Sequence, residues 1–247
     1  MAEERSSIAG MRAVTLSREY GSGGGEIAAR LAQRLGWQLI DHEVVVRVAQ
    51  QLNVSEADAE SYDEVAESRA GRILNSLRLL QPMMPVHEVP QTITSRAFYE
   101  ARCRVLEGAL ATGPVVIVGR GAQAHFAGRR DVFHVRIVAP LEARIAYVVR
   151  REGRAETDAR ERISRKDEER RRYLQTFYRR DPRDAHLYDI VLNTGVLDLD
   201  SAVDLIYLAL ERKARRLVAP AGELGPLAGL ERYPGPPEDF RPQGEAR

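Results

Sequence analysis

Four glycines in five residues, Gly21, Gly23, Gly24 and Gly25, with Ser22 among them, are the residues here whose type and spacing most directly imply chemistry. Glycine reaches positive φ without a Cβ clash, so successive backbone N–H groups can turn toward one anion. The apolar run Ala13–Ser17 before them reads as a strand, and a helix opens near Gly24. A helix N-terminus adds unpaired N–H groups and roughly half a positive charge. Residues 21–25 therefore read as a phosphate cradle. The alternative is a glycine-rich surface turn without a ligand. The pattern G-x-x-x-x-G-K-[ST] would put Gly at 18, Lys at 24 and Ser/Thr at 25, and the chain has Arg18, Gly24 and Gly25. Arg18, just past the strand, is a cation placed to swing over bound phosphates.

Three other groups stand at comparable positions. Asp41 follows the short strand Gln38–Ile40, where α/β sheets bind ligands. It reads as a ligand for the base or sugar of a second substrate, as the N-cap of a helix starting at His42, or as both. Arg120, between Gly119 and Gly121, follows the apolar run 114–118 at the same sheet edge. It can fork onto a phosphate, with a solvated surface arginine as the bland alternative. In the charged stretch 150–183, Arg165, Lys166, Arg170, Arg171 and Arg172 are dense enough to close over a triphosphate. Arg165 and Arg172 are two helical turns apart and share a face.

The elements that must position these groups follow from periodicity. The helix after the loop carries Ile27, Ala28, Leu31, Ala32 and Leu35 on one side and ends at Gly36. Residues 42–112 read as a mostly helical insertion, longer than an ordinary connection, and a substrate-covering subdomain is the expectation. Strands are expected at 131–138, where Phe133, Val135 and Ile137 alternate with His134 and Arg136, and at 189–193. A long exposed helix fills 155–180, and Leu199–Arg212 closes the fold. Residues 1–11 are expected to be loose, and the proline-rich segment 218–247 to be a disordered tail. The expected unit is thus 12–217, with 150–183 as a lid.

Composition sets further bounds. Hydrophobic residues make up 44% of 247, enough for a sizeable core, and the net charge of +1 argues against a general polyanion binder. A single cysteine, Cys103, excludes an internal disulfide and fits a reducing compartment. With no long apolar run and no signal-peptide pattern, a cytoplasmic protein without membrane contact is expected. The histidines at 42, 87, 125, 134 and 186 lack ligand spacing, so no protein-built metal site is expected.

Five strands, each followed by helix, with a glycine loop after the first, predict a three-layer α/β/α P-loop kinase-like fold with a five-stranded parallel sheet. The chain resembles the cytidylate kinase-like proteins, a divergent branch of the nucleoside monophosphate kinases. The resemblance rests on SREYGSGG at 17–24 with Glu26-Ile27-Ala28, on Asp41, on Gly119-Arg120-Gly121, on VAPLEAR at 138–144, and on the arginine-rich segment before DIVLNT at 189–194. It implies phosphoryl transfer from ATP, with Mg²⁺, to a nucleoside monophosphate, CMP or dCMP first among them. On that resemblance, Gly21, Ser22, Gly23, Gly24 and Gly25 cradle the donor phosphates, Asp41 and Arg120 hold the acceptor, and Arg165 and Arg172 are the lid arginines that neutralise charge on the transferred group, with Arg18, by its own placement, a further catalytic cation. Gly121 stands where better-known cytidylate kinases have an acid, and Gly25 where this branch often has arginine. The competing reading is a nucleotide-binding pseudokinase or sensor without turnover, motivated by the missing lysine. A nucleic-acid module is disfavoured because acids interleave the arginines and aromatics are few.

Overall fold

The structure, a computed structural model, describes residues 8–41, 95–119, 121–220 and 223–225. Among these residues the elements run β1 (Ala13–Arg18), α1 (Gly24–Leu35), β2 (Gln38–Ile40), α2 (Ser95–Thr112), β3 (Val115–Val118), α3 (Ala122–His125), β4 (Val132–Val138), α4 (Leu141–Glu152), α5 (Glu156–Tyr178), a 3₁₀ turn (Ala185–Leu187), β5 (Ile190–Asn193) and α6 (Leu199–Arg215). All neighbouring strands are parallel, in the order β2–β3–β1–β4–β5. Ala13 of β1 registers with Val115 of β3 and Val132 of β4; β3 ends at Val118 opposite Leu16, and β1 runs two residues further, to Arg18 opposite Ile137. That alignment brings Arg18, Gly119 and the start of the β4–α4 turn to one edge.

Each face of the sheet is covered, giving three layers. One face packs Val14, Leu16, Phe133, Val135 and Ile137 under α1 (Ile27, Leu31, Leu35) and α6 (Val203, Ile206, Leu210). The other packs Ala13, Ile117 and Val132 under α2 (Val105, Leu106, Leu110) and α3 (Ala122). A smaller cluster, Ile145, Val148, Ala159 and Ile163, joins α4 to α5. Helix α1 ends as its sequence predicts: Gly36 sits at φ 66° and donates to the Ala32 and Gln33 carbonyls.

Two expectations change at the edges of the fold. Ile8 and Met11 are buried in the first core cluster, so the loose start does not extend to residue 11. Residues 1–7, 42–94 and 226–247 lie outside the described residues, and with them most of the expected insertion and tail.

Strand β4 departs from its alternating pattern. His134 and Arg136 are 6% and 7% exposed, as buried as their apolar neighbours. A parallel sheet has no solvent face, so polar residues at alternate positions must find partners inside. Thr15, Ser17, His134 and Arg136 all fall on the face toward α2 and α3. His134 Nδ1 shares a 2.7 Å hydrogen bond with Thr15 Oγ1. Burial pushes the His134 imidazole down to about 4, opposed by the nearby Asp189 carboxylate. An unfolded histidine titrates near 6.5, so this contribution is complete above about pH 6.5 and is lost as pH falls toward 4, by about 3 kcal/mol in total. Urea unfolding of wild type and His134→Gln at about pH 7 and about pH 4.5 should show the wild type losing roughly 2–3 kcal/mol more than the variant. Equal losses would remove His134 as the acid-labile group.

Candidate functional site

The turn between β1 and α1 is shaped by close approach. Gly21 has φ 83° and Gly23 has φ 74°. A Cβ on Gly21 would stand 2.8 Å from the Arg144 carbonyl oxygen, and one on Gly23 2.6 Å from Leu199 Cδ2. Gly23 is the N-cap of α1 and supplies no side-chain acceptor, so no side chain caps the first-turn N–H groups. That is the arrangement an anion at a helix N-terminus requires. The Ser22 side chain is buried, its Oγ donating to the Glu19 carbonyl at 2.9 Å, and its N–H donates to the same carbonyl at 3.4 Å.

Arg18 is the last residue of β1, one position earlier than its predicted place beyond the strand. Its stem passes Gly24, where a Cβ would lie 2.8 Å from Arg18 Cβ. Its guanidinium passes Gly119, where a Cβ would lie 2.6 Å from Arg18 Nη1. A glycine at the start of α1 and another just past β3 thus make room for one arginine, which lies between the glycine turn and the end of β3.

A cleft of about 1080 Å³ opens beside this arginine, between the sheet edge and α5. Eight cationic side chains and five carboxylates line it, a net excess of positive charge. Asp41, half-buried after β2, is among the carboxylates; the helix it was expected to cap lies outside the described residues. Arg120 also lies outside them, while its neighbours Gly119 and Gly121 reach the cleft at φ 75° and 69°. Gly121 is packed under Tyr178 at the end of α5, where a Cβ would approach Cε2 to 2.6 Å.

Helix α5 does not present Arg165 and Arg172 to this cleft. Their side chains are 65% and 75% exposed and pair with Glu169 and Glu168. Arg171 and Arg172 together hold the Glu168 carboxyl down at about 2. The buried anchors of the helix, Ile163 and Leu174, set its orientation. Arg165 and Arg172 stand roughly 200° and 180° round the axis from Ile163, whereas Asp167 and Arg170 stand within about 40° of it. The two predicted arginines do share a face, and it is the solvent face.

Arg170 is an α5 guanidinium that reaches the backbone of the loop. It donates to the Arg18 carbonyl at 3.1 Å and lies 5.4 Å over the Tyr20 ring. Burial lowers its pKa, with Asp167 opposing. Arg162 takes the other approach to Tyr20, 5.3 Å from the ring, and donates to the hydroxyl at 2.6 Å. Burial, and the bond from that hydroxyl to Glu152, raise the Tyr20 pKa. Asp167 accepts from the Tyr20 N–H at 2.8 Å and from Arg144 Nη1 at 2.6 Å. Arg144 also donates to the Ala139 carbonyl at 3.0 Å. Glycine turn, α4 and α5 are thereby tied through one carboxylate. Tyr20, Arg136, Arg144 and Asp167 were not among the expected site residues, and Arg170 was expected only as one of the five cations dense enough to close over a triphosphate, not as the charge-neutralising arginine. For Asp167 and Arg170 the spacing of Ile163 and Leu174 was the available signal; for the others it lay in pairings distant in sequence.

Comparison with known proteins gives four findings. Residues 13–196 match the model of the cytidylate kinase-like family. A uronate isomerase of Corynebacterium glutamicum is 30% identical over 106 residues, covering 43% of this chain but only 18% of that protein's length. A cytidylate kinase of Ignicoccus hospitalis is 27% identical over 202 residues, covering 79% of this chain and 97% of its own. Among solved structures, an uncharacterised protein of Eubacterium ventriosum superposes with a TM-score of 0.61 at 19% identity, covering 81% of this chain and 99% of that one, which bears on fold alone.

Proposed function

The chain belongs to the cytidylate kinase-like family, and from that premise we propose that it transfers a phosphoryl group from ATP to a nucleoside monophosphate, with CMP or dCMP as the first candidates. The observation that carries this reading is Arg18. It lies between a helix N-terminus with no side-chain cap and a cleft with surplus positive charge. A phosphoryl group moving from a donor on the turn to an acceptor in the cleft would pass that guanidinium.

The residues suit the nucleotide. The cradle is one that a Cβ at Gly24 would disturb, and main-chain donors and arginines are the partners phosphates favour. Bound ATP would supply the phosphoryl group, and the Mg²⁺ accompanying it would offset part of the phosphate charge. No cluster of three metal-ligating side chains occurs among the described residues, so the ion would enter with the nucleotide and keep most of its waters. The N–H groups of residues 21–25 would hold the donor phosphates. Arg18 and Arg170 would meet the charge that spreads over the transferred group, in the role expected of Arg165 and Arg172. Asp41 and Arg120 would hold the acceptor. The segment 42–112 would cover it, and 150–183 would serve as the lid of a domain spanning 12–217. No helix among the described residues is long and apolar enough to cross a membrane; a cytoplasmic location is part of this proposal.

A second reading, nucleotide binding without turnover, is favoured by Asp167, whose carboxylate already takes the Tyr20 N–H at the mouth of the turn. ADP release from ATP with CMP, dCMP, UMP, AMP and GMP in turn separates the two. Release that requires both ATP and one monophosphate is the expected result. ATP binding with no release on any acceptor would establish the second reading.

A further inference from the structure

Helix α6 carries more apolar surface than the core uses. Val203, Ile206 and Leu210 are buried in the first core cluster. Leu205, Leu208, Ala209 and Arg212 recur at i, i+3, i+4 and i+7, so three apolar residues and the stem of an arginine form a second stripe on another side of the helix. Leu205 is 39% exposed and Leu208 47%. The stripe lines a groove of about 710 Å³. Phe133 and Ile190, near the starts of β4 and β5, line it too, which puts it at the opposite end of the sheet from Arg18 and the cleft.

The rim of this groove is basic. Arg129, Arg130, Arg212, Lys213 and Arg216 stand against one lining carboxylate, Asp189. Lys213 pairs with Asp189 at 2.7 Å, and Arg129 with Asp131 at 2.7 Å. Arg130 and Arg216 donate instead to main-chain carbonyls, which leave their charge uncompensated.

Those same bonds lead the chain into the groove. Arg130 Nη2 donates to the carbonyls of Arg216 and Ala219, at 2.7 and 2.8 Å, and Arg216 donates to the carbonyl of Glu223. The segment after α6 is thereby tied to the turn before β4, and Leu224 and Gly225 line the groove themselves. The sequence continues as Pro226-Leu-Ala-Gly-Leu230, and residues 226–240 hold Glu231, Glu238 and Asp239 against a single arginine, Arg232. Leu227 and Leu230 follow Gly225 by two and five residues, a reach of at most about 18 Å. Pro234-Gly235 is a turn dipeptide, which lets the two acids beyond it come back to the rim.

We propose that residues 226–240 strap this groove within their own chain, with Leu227 and Leu230 against Leu205 and Leu208, and Glu238 and Asp239 along the arginine rim. A second copy suits the groove less well. Two-fold pairing sets a patch against itself, and here that would face one cationic rim with another. A separate acidic peptide competes with a segment that is already attached, at an effective concentration in the millimolar range. The strap does not depend on the kinase reading.

Hydrogen exchange of the full chain, read by mass spectrometry, tests it. In wild type the amides of 227–232 should exchange at least about tenfold more slowly than an open chain. Leu208→Glu should return them to the open-chain rate. It puts a carboxylate four residues before Arg212, a favourable pair on a helix, so the fold is kept. Leu227→Ser with Leu230→Ser should do the same from the other side, at positions outside the packed core. Glu238→Gln with Asp239→Asn should speed exchange at 227–232 by about threefold to tenfold. The groove variant and the double leucine variant should each lower the melting temperature by about 2–4 °C, and their combination should lower it no further than the larger of the two. Open-chain exchange at 227–232 in wild type, protection there that survives Leu208→Glu, or additive melting shifts would overturn the strap. A dimer by light scattering whose dissociation speeds exchange at Leu205–Lys213 would give the groove to a second copy instead. Exchange unchanged by removing the two acids would overturn the part given to the arginine rim.

Discussion

Replacing Arg170 by alanine is expected to lower kcat/KM for phosphoryl transfer by about 10³-fold, while Arg165→Ala and Arg172→Ala change it by less than about threefold. The three residues lie within eight positions on one helix and carry the same charge. They differ in direction. Arg170 donates to the carbonyl of Arg18 and stacks over Tyr20, in a partly desolvated place where each charge interaction is stronger. Arg165 and Arg172 spend their guanidiniums on Glu169 and Glu168 in water, where ion pairs contribute little. Arg170→Lys should recover only part of the loss, because an ammonium cannot fork between the Arg18 carbonyl and a phosphate oxygen. ADP release measured across a range of acceptor concentrations, with melting temperatures beside it to show the variants folded, reads the difference. Wild-type turnover in Arg170→Ala, or a collapse confined to Arg165→Ala, would return the lid role to the outward pair.

The second large effect separates two adjacent glycines. Gly24→Ala is expected to cost about 1–3 kcal/mol of stability and about 100-fold in turnover. Its new Cβ would meet Arg18 Cβ at 2.8 Å and Leu16 Cδ2 at 3.2 Å. Arg18 Cβ is the root of its side chain, so relief requires moving the end of β1 or the start of α1. Either movement shifts Arg18 off the line between turn and cleft. Gly25→Ala places its Cβ where nothing lies within 4 Å. That substitution should stabilise the chain by about 0.5–1 kcal/mol through the lower entropy of the unfolded state, with turnover within about threefold of wild type. Melting temperature and ADP release on the same two samples suffice. Equal behaviour of the two variants would show that crowding at Arg18 does not govern the site.

Much of the architecture was written locally. The apolar runs at 13–18, 115–118 and 132–138 are strands, and Gly36 stops α1 where its φ requires glycine. The glycine-rich turn was recognisable because only glycine makes such a sequence, although its reasons are partly steric: Gly21 and Gly23 face Arg144 and Leu199, far along the chain. The direction of α5 was nearly readable. Its composition is dominated by charge, which hides Ile163 and Leu174 as the anchors that fix which arginines turn inward.

The sequence by itself determined the sheet, its helical cover, the position of the glycine turn after the first strand and the family. Those follow from periodicity and backbone conformation, which neighbouring residues settle among themselves. Only the tertiary structure decided which charges meet. Arg136 is buried because β4 lies inside a sheet covered on both faces, and Arg170 reaches Arg18 because α5 docks through two apolar anchors. Gly24 packs against the stem of Arg18 and Gly119 against its guanidinium because the start of α1 and the end of β3 both close on the end of β1. Electrostatic partnership depends on distance in space and on exclusion of water, and neither is a property of spacing along the chain.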